Sequence, residues 1–153
     1  MTLSAAIHGG VSAIGYDSAT NERGFLLKVT NRTGASSVKG LLVSASTTTD
    51  REAIKQANEF DCFGIIQEAG VAEGSEMWIW MNGSICQVMF KDGVTPARGE
   101  VAMCADTDGR ADRFANPGSG LPAIETHFKE IGHLLESKSS GTDVLALVCL
   151  HFN

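Results

Sequence analysis

Five apolar residues in a row, Met77-Trp78-Ile79-Trp80-Met81, run directly into Asn82-Gly83 and then into a second apolar stretch, Ser84 to Phe90. A run this short, apolar at every position and so on both faces, suits a strand covered on both sides. Asn-Gly between two such runs is a strong hairpin signal, because a type I′ turn needs positive φ at both central residues. The same grammar recurs along the chain. GFLLKVTN sets Phe25, Leu27 and Val29 against Leu26, Lys28 and Thr30, a period of two. GLLVSAST sets Leu41, Val43 and Ala45 against Ser44 and Ser46. CFGIIQ over 62–67 is a short apolar strand whose internal Gly64 marks a bulge or a close backbone approach. RGEVAMCA over 98–105 lies between Lys91-Asp92-Gly93 and Asp108-Gly109, and HLLES with VLALVCLHF, joined by KSSGTD, reads as a terminal hairpin.

Two segments break this pattern. Thr49-Asp50-Arg51-Glu52 has the form of a capping box ahead of Ala53, Ile54, Ala57 and Phe60, which predicts a short helix. Ile124, His127, Phe128 and Ile131 fall at helical spacing, with Pro122 in the first turn and Gly132 just past the end, which predicts a helix over roughly 122–131. Seven or eight short strands with turn signals between them predict an all-β fold, a mainly antiparallel small barrel or sandwich with one or two short helices. The first twenty or so residues are small, Gly-rich and without either period. They read as an extended N-terminal arm over 1–23 that orders only against something else, ahead of a single β-rich domain over 24–153.

The 153 residues suffice for one domain with a core of its own. Twelve Lys+Arg against eighteen Asp+Glu give a net charge of −6, which argues against a nucleic-acid partner. No apolar run reaches the length of a membrane span, and the first residues lack the basic and apolar regions of a secretory signal. The expectation is therefore a chain made in the cytoplasm, with no membrane partner. Cys62, Cys86, Cys104 and Cys149 are widely spaced in apolar stretches and read as buried reduced thiols. His8, His127, His133 and His151 are scattered too. His133 and His151 can face each other across the terminal hairpin, but two imidazoles alone favour a core or interface role over a metal site.

Other motifs are read as structure before chemistry. Asp106, Asp108 and Asp112 surround Gly109 but lack the full calcium-loop pattern, and Asp-Gly is an ordinary turn. Gly118-Ser119-Gly120 is a loop tripeptide and not a nucleophile elbow. Asn31-Arg32-Thr33 and Asn82-Gly83-Ser84 match a glycosylation acceptor, yet turn chemistry explains both. Glu125, Glu130 and Glu136 have no partner implied by spacing. Trp78 and Trp80 share one face of their strand, as a ligand platform or, more simply, as a buried layer. The expectation is no catalytic residue, no cofactor and no metal.

The segments FDCFGIIQEAGVAEGSEMWIWMNGSICQVMFKDGVTPARGEVAMCADTDGRAD and HFKEIGHLLESKSSGTDVLALVCLHFN resemble the phage head decoration, or capsid cement, proteins. The likeness covers about 60–153, with looser similarity over 24–49, and is most specific in the terminal hairpin. It implies a β-rich domain, often a homotrimer, that sits on the outer capsid surface of the virion and clamps the subunits of the major capsid protein together without an active site. The arm lies outside the resemblance; Thr2, Leu3, Ile7 and His8 within it are the residues expected to touch the capsid. The alternatives are a head-fibre or tail module, a small ligand-binding barrel using Trp78 and Trp80, and a hydrolase built on Asp106, Asp108 and histidines.

Overall fold

The computed structural model describes residues 2–7, 12–57, 62–106, 109–114 and 124–152. Among them the chain forms twelve strands joined in one continuous sheet, and one short helix. The strands are β1 (Thr2–Ile7), β2 (Ser12–Asp17), β3 (Glu22–Arg32), β4 (Leu42–Ala45), β5 (Glu52–Lys55), β6 (Gly64–Ile66), β7 (Glu76–Trp80), β8 (Ile85–Met89), β9 (Val101–Cys104), β10 (Ala111–Phe114), β11 (Glu130–Leu134) and β12 (Leu145–Leu150). Helix α1 spans Ile124–Lys129. The all-β expectation holds, and nearly every pairing is antiparallel.

The sheet closes on itself in two places. Strands β3, β5, β4, β6 and β7 pair in that order, and β7 returns to β3, which makes a five-stranded ring. Strands β8, β12, β11, β9 and β10 pair in turn, and a parallel bridge from Phe90 to Ala111 closes a second ring. Closure removes exposed edges, the usual weak point of a small sheet. Val29, Val43, Ala53, Ile66, Met77 and Ile79 come from all five strands of the first ring and form one apolar cluster. The opposite faces of those strands present Leu26, Leu42, Ile65 and Trp80 to a larger cluster shared with Val88, Phe90, Ala102, Ile131, Leu134, Val148 and Leu150 of the second ring. The doubly apolar MWIWM stretch is thereby explained: Met77 and Ile79 serve one core and Trp80 the other.

Strand β3 is eleven residues long because it serves both rings. Arg23 pairs with Ile85 of β8, and Leu26 to Thr30 pair with β7. The crossing point is tight. Gly24 has φ 139°, and a Cβ there would lie 2.4 Å from Ser84 Oγ and 2.5 Å from Ser84 Cα. Ser84 is fully buried, accepts a hydrogen bond from Phe25 N at 3.0 Å and donates one to Phe25 O at 3.1 Å. Next to it the buried Glu22 carboxylate pairs with Lys39, accepts from Gln87 N at 3.0 Å, and takes the Thr20 hydroxyl at 2.7 Å.

Four sequence expectations are corrected. The first concerns the arm. Its extended conformation is found, but β1 pairs with β2, and β2 pairs with β3 from Ser12–Leu27 to Asp17–Glu22. Ala13 is buried, and Gly15 lies so close to the core that a Cβ would meet Trp80 Cη2 at 2.6 Å and Leu26 Cδ1 at 2.7 Å. Small residues hid the strand period, since Ala and Gly point inward because only they fit over Trp80. The second concerns the capping-box segment. Glu52–Lys55 is a strand running parallel to β3, because a free ladder edge on β3 outweighs a weak local helix signal. The third concerns Asn82-Gly83. It does not join a hairpin, because β7 and β8 lie on successive stretches of β3 in different rings. Ser84 N donates to Met81 O at 3.1 Å and only Gly83, at φ 82°, has positive φ, the signature of a type II turn. The fourth concerns the second helix, which ends at Lys129. Gly132 is inside β11, and Pro122 lies outside the described residues.

Replacing Gly24 by Ala drives a methyl into the Ser84 backbone where the two rings meet. We expect a loss of about 3 kcal/mol in urea unfolding, with an unchanged slope.

Candidate functional site

Among the described residues, two places collect groups able to act on something else. The first is the outer face of the β2–β3 pair. With Ala13 and Gly15 turned inward, Ile14 and Tyr16 turn outward, and Ile14 is registered against Phe25. Ile14 is 44%, Tyr16 47% and Phe25 57% exposed. Three large apolar side chains grouped on one sheet face are unusual for a surface that meets only water.

The second place is the end of the terminal hairpin. Antiparallel pairing sets His133 opposite Cys149, so His151, two residues on, reaches the same side just beyond β12. Strand β11 carries a bulge: Glu130 pairs with Met103 and Gly132 with Ala102, leaving Ile131 as the extra residue. The insertion cancels one alternation, so Glu130 and His133 share a face although three apart. His151 Nε2 lies 3.0 Å from His133 Nδ1 and 3.2 Å from Glu130 Oε1, and His133 Nδ1 lies 3.4 Å from the same oxygen. Glu130 Oε2 is held by His127 Nδ1 at 3.0 Å. The carboxylate is 9% exposed and the two imidazoles 55% and 41%, so the cluster is anchored inside and open outside. Gly132 makes the bulge possible: at φ 156° a Cβ would lie 2.2 Å from Cys149 O.

The facing of His133 and His151 matches the sequence expectation, but neither is a core imidazole. Sequence reasoning gave Glu130 no partner, and so missed its place between the two imidazoles. Its signal was the even spacing His127, Glu130, His133, which reads as helical until the bulge is known. Elsewhere the expected site residues are tied into structure. Lys91 Nζ sits 2.6 Å from Asp112 and 3.5 Å from Asp106, so a lysine occupies the space between these aspartates; Asp108 lies outside the described residues. Trp80 is fully buried, and Lys28 Nζ stands 4.9 Å from the centre of the Trp78 ring, so the two indoles form no open platform. Glu136 accepts from Leu147 N at 2.9 Å. Asn31 is buried, and its amide bonds to Ala35 O and Val71 O, which is turn chemistry. Asn82 Oδ1 accepts from Phe152 N at 3.3 Å, pinning the end of the chain. Thr2, Leu3 and Ile7 lie in β1, while His8 and Gly118-Ser119-Gly120 lie outside the described residues, as does the side chain of Glu125.

All four cysteines are free thiols. Burial pushes the Cys86 thiol well up, and burial together with neighbouring Cys104 does the same to Cys62. A cleft of about 310 Å³ opens beside the first ring over Leu27, Val29 and Phe63, rimmed by Thr49 to Glu52. Among the described residues no helix is long and apolar enough to cross a membrane. No protein-family model matches the chain, and no curated protein matches it in sequence.

Two measurements check this electrostatic picture. The thiol of Cys86 should react with a disulfide reagent only as the protein unfolds, because both access and thiolate formation are suppressed. The Asp112 carboxylate raises Lys91 above the usual lysine value of about 10.4, with help from Asp106. A raised folded value means that the stabilisation is complete below that pH and is lost as pH rises through the folded pKa. Lys91→Met should therefore flatten the alkaline limb of the stability profile and leave its slope near pH 7 unchanged.

Proposed function

We propose that this chain is a phage capsid decoration protein. It binds the outer surface of the mature capsid and stabilises contacts between major capsid subunits, as a homotrimer in the virion. The observation that carries the reading is the exposed apolar face of Ile14, Tyr16 and Phe25, mounted on a sheet whose other side is packed on Trp80. A rigid face carrying aromatic anchors loses little conformational entropy on docking. The resemblance of 60–153 to capsid cement proteins supports the same reading, and a net charge of −6 suits a protein that works outside a particle filled with DNA. Buried interface that spans two capsid subunits raises the work needed to separate them. Three modest contacts held on one trimer reinforce each other through effective concentration.

The paired N-terminal strands change how the contact is tested. Removing 2–20 would strip β2 from the core, so a truncation would confuse folding with binding. Substitution of exposed side chains separates them. Purified protein should saturate bare expanded capsids of the phage that encodes it and raise their disruption temperature. An Ile14→Ser, Phe25→Ser double variant should bind at least about tenfold more weakly with its own thermal unfolding unchanged. A wild-type protein that leaves bare capsids uncoated would refute the function. Undiminished binding by the folded double variant would refute the contact face. Light scattering of the free protein tests the trimer, and a monomer mass at working concentration would remove it.

A further inference from the structure

We propose that Glu130, His133 and His151 form a zinc-binding site at the end of the terminal hairpin. Tetrahedral zinc with bonds of about 2.0–2.1 Å needs ligand atoms about 3.3–3.4 Å apart. The three separations here are 3.0, 3.2 and 3.4 Å, between His133 Nδ1, His151 Nε2 and Glu130 Oε1. The donors already stand within a few tenths of an ångström of the edges of one coordination face, before any side chain moves.

The chemistry of the set fits as well. Two neutral imidazoles and one carboxylate suit a borderline divalent transition metal better than calcium or magnesium, which prefer oxygen throughout. One cation satisfies an arrangement that is otherwise awkward. Two ring nitrogens 3.0 Å apart can share only one proton, while a mostly buried carboxylate faces both.

The surroundings orient the ligands. His127 Nδ1 holds the second carboxylate oxygen at 3.0 Å, which leaves Oε1 directed at the imidazoles. The Ile131 bulge and Gly132 fix the two β11 ligands on one side, and His151 N donates to Ile131 O at 3.0 Å, which fixes the third. Both imidazoles are partly exposed, so metal can enter from solution and a fourth coordination position faces outward. A bound ion would staple the end of β12 to β11. The site uses none of Ile14, Tyr16 and Phe25 and does not depend on a capsid-binding role.

The test uses the full chain after treatment with a chelator. Zinc is titrated in against a chromophoric competitor, and cobalt serves as a spectroscopic probe of geometry. We expect one equivalent per chain, a tetrahedral cobalt spectrum and a zinc-dependent rise in Tm. His151→Gln, at an exposed position, should fold normally and bind zinc at least about a hundredfold more weakly, and His127→Gln about tenfold more weakly. The idea fails if the wild-type chain takes up no zinc, or if a folded His133→Gln, His151→Gln double variant keeps wild-type affinity. The second result would place the metal at other residues. A capsid-binding assay on the same variants is independent, so loss of zinc and loss of docking can be told apart.

Discussion

The structure turns on the crossing of β3 between two closed rings. One strand cannot curve into both unless its backbone passes very near the turn that starts β8, and Gly24 against Ser84 is that passage. Ser84 uses its hydroxyl to satisfy both backbone groups of Phe25, so the contact leaves no buried polar group of that residue unpaired. Glu22 ties the same point to Gln87 and Lys39. A carboxylate this deeply placed is tolerated because an ammonium, an amide and a hydroxyl all face it. Both cores inherit their geometry from this joint: the interior of the first ring, and the layer between the rings.

Closure also decides where the surface is free to act. Strands that turn apolar residues into the rings leave little apolar surface outside. The β2–β3 face is an exception because its inner side is made of the smallest residues. Ala13 and Gly15 let the strand lie flat on Trp80, and the outward positions then carry Ile14 and Tyr16 beside Phe25. Bulk has been moved from the inner side of this strand to the outer side. The result is an exposed face that carries three large apolar side chains. The His-rich corner arises differently, from one inserted residue in β11. Without Ile131 as an extra residue, Glu130 and His133 would point to opposite sides and no cluster could form.

Much of the fold was legible in the residues. The apolar runs at 62–67, 77–81, 84–90, 98–105 and 144–152 lie on strands, since their alternation and turn signals are local properties. The close approach marked by Gly64 is real, with a Cβ there meeting Ile79 Cδ1 at 2.7 Å. The errors have two physical causes. The signal at 49–60 was weak and the one at Asn82-Gly83 strong, yet both were overruled by the edge of β3, while in the first twenty residues small side chains hid the strand period. A capping box cannot compete with the open ladder of β3, and an Asn-Gly turn cannot form a hairpin when its flanking strands both pair with β3.

What the sequence determined alone is the inventory: short apolar strands, their spacing, an acidic surface, and cysteines too far apart in the chain to form a local metal motif. Only the tertiary structure decided which edges meet, and hence that the strands close into two rings around a shared β3. It also decided which residues gather at a point. Glu130 and His133 lie in β11 and His151 just beyond β12, and their meeting depends on a bulge and on a glycine whose Cβ, were there one, would lie 2.2 Å from Cys149 O. Periodicity describes a strand as a regular object, and this cluster exists because one strand is irregular.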